Sequence, residues 1–297
     1  MCDKKINILV TGANGQLGRC MRDAAAGSRN RFIFTDVSQI PGLETVSLDI
    51  TNKDTLDIVA DSENVDVIVN CSGYTNVDKA EDETHLADLL NRQAAANLAA
   101  CARRRKALLI HISTDYIFDG NTPVPITESA EPSPLGVYGA TKLAGEQAVV
   151  TSACNYIIIR TAWLYSRYGR NFVKTMLSLT GSHPTIKVVC DQVGSPTYGP
   201  DLANFIVSII DGGLCSHTGI YNFTDEGVCS WFDFAFEINS LAGHGCKVMP
   251  CKTADYHSRA RRPHYSVLDK SLVKSTFGIS VPHWTESLKL CMQELEK

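Results

Sequence analysis

The chain is expected to fold as an α/β protein around a doubly wound parallel sheet, with a smaller C-terminal α/β unit. Two observations carry that expectation. Short apolar runs alternate with longer helical patterns through the first 163 residues, the repetition that right-handed strand-helix-strand crossovers require. The runs are rich in Val, Ile and Leu without polar alternation, as strands covered on both faces are.

The strands read as Ile6–Thr11, Arg31–Asp36, Val65–Cys71, Leu108–Ser113 and Tyr156–Thr161, with a further short one before Asp49. Helical patterns fall at Gln16–Ala26, Thr55–Ala60, His85–Arg104 and Tyr138–Val150. Thr51 or Asn52 is placed to cap the second of these. After residue 163 loops with Gly and Pro become frequent, at 181–184, 194–200, 212–219 and 243–250. Helices are expected at Asn171–Leu179, Pro200–Ile210, Trp231–Leu241 and Glu286–Glu296. This divides the chain into a nucleotide-binding domain, 1–163, and a mainly substrate-binding domain, 164–297. A segment near Ile186–Val189 or Ile220–Phe223 is a candidate to return to the main sheet.

The 297 residues carry 28 Lys and Arg against 32 Asp and Glu, a formal charge of −4, which argues against a nucleic-acid partner. Apolar residues make up 44%, ample for a buried core, so the chain is not disordered. No run approaches the roughly 20 apolar residues that span a bilayer, and no signal-peptide core follows Met1, so a cytoplasmic location is expected and no membrane partner. Eleven cysteines and eight histidines form no CxxC or HExxH pattern, and no metal ligand is assigned.

The first motif, Thr11-Gly12-Ala13-Asn14-Gly15-Gln16-Leu17-Gly18, joins the first strand to the first helix. Glycines there bring the backbone against a pyrophosphate, which the N–H groups and positive dipole end of the helix hold. This is the Rossmann-like arrangement. Gly12, Asn14, Gly15, Gln16, Leu17 and Gly18 are therefore cofactor candidates. Asp36, at the end of the second strand, is placed to accept the adenosine ribose hydroxyls and would repel a 2′-phosphate. It favours NADH over NADPH. Asp49 and Ile50 are placed to frame the adenine, and Cys71-Ser72-Gly73 are small enough to let a flat cofactor pass.

The most informative constellation is Ser113-Thr114-Asp115-Tyr116 with Tyr138 and Lys142. Four residues apart, Tyr138 and Lys142 share a helix face. A free Tyr has a pKa of about 10, and an adjacent ammonium stabilises its phenolate for proton exchange. Thr114, at a strand end, is placed to hold a carbonyl oxygen. The cluster Trp231-Phe232-Asp233-Phe234-Ala235-Phe236 puts Trp231, Phe234 and Ile238 on one face, and is read as core.

These motifs resemble the extended short-chain dehydrogenase/reductases, and within them the dTDP-4-dehydrorhamnose reductase family. The resemblance runs from Ile6 to the C-terminus. It rests on the glycine turn, on Asn70 to Glu81 with its Val77-Asp78-Lys79-Ala80-Glu81 block, and on Ser113 to Gly120. It continues in Tyr138 to Lys142, Arg160 to Tyr165, Asn171-Phe172-Val173, Asp191 to Thr197 and Arg262-Pro263. It implies Tyr138 as general acid, Lys142 as its electrostatic partner and ribose ligand, and Thr114 where most relatives carry Ser. Thr75, Asp115, Tyr116 and Trp163 would line a nucleotide sugar, with Asn171 and Gln192 toward its diphosphate. Arg262 would meet phosphate or be a surface charge. The implied reaction is NADH- or NADPH-dependent reduction of a 4-keto sugar on the way to dTDP-L-rhamnose. A homodimer bridged by Mg2+ is implied too, with carboxylates that the sequence does not place.

Two other readings stay open. A nucleotide-sugar epimerase would retain its cofactor; a dehydratase would need a second carboxylate where Tyr116 stands. The beta subunit of methionine adenosyltransferase also resembles these reductases, which makes a non-enzymatic regulatory subunit the third.

Overall fold

Strand residues divide between the two faces of one sheet, and that division explains the unbroken apolar runs. Ile8 and Val10 enter one core with Val67, Val69, Leu108, Ile110, Ile157 and Ile159. Leu9 enters the other with Ile33, Ile68, Leu109 and Ile158. The computed structural model describes residues 5–256 and 258–296.

Seven strands build this sheet: β1 (Asn7–Thr11), β2 (Arg31–Asp36), β3 (Val46–Ser47), β4 (Val67–Asn70), β5 (Leu108–Thr114), β6 (Asn155–Thr161) and β7 (Gly219–Asn222). Their order is β7-β6-β5-β4-β1-β2-β3, and every pairing is parallel. The order reverses between β1 and β4, where ligands bind beyond the carboxyl ends of the strands. Thr11 pairs with Asn70 at that point, so Gly12 and Cys71 follow side by side.

Helices Gln16–Ala25 and Gly199–Asp211 pack together on the first face. Helices Lys53–Ser62, Ala94–Arg105 and Val137–Thr151 cover the second. Asn52 caps Lys53–Ser62 through Thr55 N at 3.1 Å. The expected helix His85–Arg104 runs over 84–105 and contains a π-helical turn, Leu89–Gln93. Such turns recur at functional sites.

Of the two segments expected as candidates to return, Gly219–Asn222 joins the main sheet beside β6. Thr185–Val189 does not: it pairs with Lys247–Cys251 in a separate two-stranded sheet. That sheet lies in a third core of Val173, Met176, Val188, Phe234, Ile238, Val248, Trp284 and Leu288. The segments beyond residue 163 thus serve this core and the first-face core of the main sheet. No helix among the described residues is long and apolar enough to cross a membrane.

Candidate active site

The carboxyl ends of β1, β4, β5 and β6 open into one cavity of about 430 Å³. Thr114, Asp115, Tyr116, Tyr138 and Lys142 line it, with Gly15, Gln16, Leu17, Cys71, Ser72, Gly73 and Thr75, and with Trp163 across from them. Gly12 takes φ +64°, and a Cβ there would lie 2.8 Å from Ser72 N. Only glycine lets the turn pass so close to the end of β4. Helix Gln16–Ala25 begins beside the cavity with Gly15 as its N-cap and no side-chain cap. Its first-turn N–H groups are left for a ligand.

Thr114 closes β5 and is buried. Its Oγ1 donates to Asp115 Oδ1 at 3.0 Å and accepts from Tyr116 N at 3.2 Å. Burial pushes the Tyr138 phenol up to about 12, with the nearby Thr114 hydroxyl opposing. One turn along, burial pulls the Lys142 ammonium down to about 8, with Glu146 opposing. Lys142 Nζ donates to the Ile112 carbonyl at 2.6 Å, which fixes it under the cavity floor.

Asp115 is 1% exposed, and burial pushes its carboxyl up to about 6. Its Oδ2 has no hydrogen-bond partner. Tyr116 meets Tyr138 edge-on at 5.4 Å, with the Arg262 charge nearby. The Arg262 guanidinium pairs with Asp78 at 2.7 Å and also donates to Ser258 Oγ and the Ala260 carbonyl.

Other predicted residues lie elsewhere. Asp36 stands at the end of β2; it accepts from Asn14 N at 3.1 Å and from Ser38 N and Oγ at 2.9 and 2.7 Å. Asn14 Nδ2 in turn donates to Ser38 O at 2.7 Å, tying the glycine turn to the loop after β2. A Cβ on Gly18 would meet Gly12 O, so this glycine packs the helix against the turn. The exposed Asp49 holds the turn to Thr51, and Ile50 is buried in the second-face core.

Asn171 and Gln192 are not in the cavity wall. Asn171 caps helix Phe172–Ser182 and donates through Nδ2 to Gln16 Oε1 at 2.9 Å. The buried Gln192 donates to Thr253 Oγ1 at 3.1 Å. The core reading of Trp231 is corrected as well. Phe234 and Ile238 are core, but Trp231 lines the cavity and stacks on Trp163 at 3.5 Å. It opens helix Trp231–Leu241, so its ring lies at the end of the face that Phe234 and Ile238 bury. Trp163 itself sits at φ +49°, a left-handed conformation rare for a bulky residue.

Sequence reasoning missed Asn91, in the π-helical turn. Its Oδ1 accepts from Tyr74 N at 2.8 Å and its Nδ2 donates to Thr141 Oγ1 at 3.1 Å, beside the cavity. A polar residue opening an alanine-rich helical stretch was the signal available.

A family model described as RmlD substrate binding domain matches residues 6–297. A dTDP-4-dehydrorhamnose reductase of Aggregatibacter actinomycetemcomitans is 38% identical, covering 95% of this chain and 97% of its own. The chain belongs to the dTDP-4-dehydrorhamnose reductase family. The crystal structure of a dTDP-4-dehydrorhamnose reductase from Clostridium acetobutylicum is 42% identical, with a TM-score of 0.92, covering 98% of this chain and 100% of that one. That of the Bacillus anthracis dTDP-4-dehydrorhamnose reductase, solved in complex with NADP, is 37% identical, with a TM-score of 0.90 over 98% and 100%. The triad Thr114, Tyr138 and Lys142 thus sits in a member of an oxidoreductase family.

Proposed function

We propose that the protein reduces the C4 keto group of dTDP-4-dehydro-6-deoxy-L-mannose to dTDP-L-rhamnose, with NADH or NADPH. The observation that carries this is the convergence of Thr114, Tyr138 and Lys142 on one cavity beside the glycine turn. The uncapped helix at Gly15 and the close passage of Gly12 past Ser72 fit a dinucleotide. When bound, its reduced nicotinamide supplies the hydride that adds to the carbonyl carbon.

The chain's own residues handle the oxygen. Tyr138, held protonated by burial, gives its proton to the developing alkoxide. Thr114, in the same cavity wall as the phenol, holds the carbonyl oxygen in line. Lys142, mostly charged at neutral pH, offsets the phenolate left behind. Asp115 and the Trp163–Trp231 stack line the same cavity, where the sugar would sit.

Asp36 supports a preference for NADH, because its carboxylate opposes a 2′-phosphate. The NADP complex of the Bacillus anthracis relative keeps NADPH in the comparison. The protein is proposed to be a cytoplasmic homodimer. Among the described residues no three His, Cys, Asp or Glu side chains gather at a metal-binding distance, and no ligand of a bridging Mg2+ is assigned.

The test is oxidation of each reduced cofactor with the 4-keto sugar nucleotide made in situ, beside Tyr138→Phe. Turnover is expected in the wild type, with kcat falling by about 10²–10⁴-fold in the variant and cofactor binding unchanged. Cofactor binding without turnover in the wild type would restore the regulatory-subunit reading. Sugar interconversion without net cofactor oxidation would restore the epimerase.

A further inference from the structure

We infer that Glu81 is a positioning residue for the proton donor: its carboxylate caps, from a different element, the helix that carries Tyr138 and Lys142. The inference rests on the role proposed for Tyr138, but the capping itself stands on geometry.

Helix Val137–Thr151 starts without local help. Its N-cap is Gly136, which has no side chain, and no acidic residue lies in its first turn. Such an end leaves N–H groups unsatisfied and a positive dipole end uncompensated. Glu81 supplies both needs: Val137 N donates to its Oε1 at 2.9 Å. A Cβ on Gly136 would lie 2.5 Å from that same oxygen. The backbone of Gly136 is extended, at φ −151°, which any residue adopts. A side chain at 136 would therefore push the Glu81 carboxylate aside, whatever its own backbone conformation.

Tyr138 is the next residue, so the bond at Val137 sets where its ring leaves the helix. The other end of the same segment is also committed. Asp78 accepts from Ala260 N at 3.0 Å and from Arg262 at 2.7 Å, and the Arg262 charge lies near Tyr116, which packs edge-on against Tyr138. Asn76 caps the short helix Val77–Ala80 that joins the two prongs. The segment 76–81 thus holds the phenol from both sides.

The experiment is a double-mutant cycle on the full chain with Glu81→Ala, Gly136→Ala and the pair, plus Glu81→Gln. A misplaced donor costs up to about 100-fold, so kcat is expected to fall about 10- to 100-fold in Glu81→Ala with KM within about twofold. Glu81→Gln, which keeps an acceptor oxygen, should recover most of the loss. Gly136→Ala alone should lower kcat similarly, and should add almost nothing once Glu81 is gone, because the clash partner is missing. Amide exchange at residues 137–141 should speed up in Glu81→Ala. Unchanged kcat, or additive losses in the cycle, would overturn the positioning role. Unchanged exchange at Val137 would overturn the cap itself, whatever the reaction is, and so separates its failure from that of the proposed chemistry.

Discussion

Removing one charge from the Glu146–Arg160 pair gives two independent readouts. Arg160 Nε donates to Glu146 Oε1 at 3.0 Å and Nη2 donates to Oε2 at 2.8 Å, with both side chains 3% exposed. Glu146→Gln keeps the shape and one acceptor but leaves a buried guanidinium without its counter-charge. The Glu128 carbonyl at 3.0 Å and the Phe118 ring at 5.3 Å remain as partial compensation. Breaking a buried pair costs about 3–5 kcal/mol, and the retained contacts place this variant near about 3. At about 2.1 cal/mol/K per residue, a 297-residue chain has an unfolding entropy near 0.6 kcal/mol/K, so Tm should fall by about 5 °C. Glu146 also raises the Lys142 pKa against desolvation, one turn along the same helix. Without it the Lys142 ammonium is lost at lower pH, and the alkaline limb of kcat/KM, expected near 8, should move down. Thermal melts and a pH profile of kcat/KM measure the two effects. A melting point and an alkaline limb both unmoved would refute the reasoning.

Asp115, raised to about 6 from an ordinary 3.8, binds a proton more tightly folded than unfolded. Its contribution to stability is therefore full below about pH 4 and is lost as pH rises toward 6. Asp115→Asn should flatten that slope in pH-dependent melts, and should remove an acid limb near 6 from kcat/KM while lowering its plateau; a limb that persists in the variant belongs to another group. Trp231→Ala removes an aromatic wall of the cavity that the sugar nucleotide would pack against, a contact worth about 0.5–1.5 kcal/mol, so KM for the sugar nucleotide should rise about two- to tenfold with kcat nearly kept. A KM unchanged in steady-state assays would remove Trp231 from the substrate wall.

What was legible in the sequence was set by near neighbours along the chain. β1, the glycine turn and helix Gln16–Ala25 are contiguous, and so are β5 with Thr114 and the helix with Tyr138 and Lys142. Each obeys a local rule, and the parallel crossovers then bring their ends together at the reversal of strand order. Where the decisive partner is distant, the same residue types misled. Asn171 was placed toward the diphosphate by the resemblance, yet its amide is taken by its own helix and by Gln16, far away in sequence. Ile50 follows a strand end that frames the site, but the turn at Asp49 rolls it inward. Trp231 obeyed the helical period of Phe234 and Ile238 but stands at the first position of its helix, where the face has run out and the ring meets Trp163 instead. The Val77-Asp78-Lys79-Ala80-Glu81 block shows the limit from the other side. It carried the resemblance strongly, yet no local pattern says what its carboxylates meet. Their partners, Val137 and Arg262, are 56 and 184 positions away. A charged residue on a four-residue helix would by default be a solvated face. It takes the hydrogen bond at Val137, beside a glycine whose Cβ would displace that carboxylate, to show that one of these charges has a fixed destination.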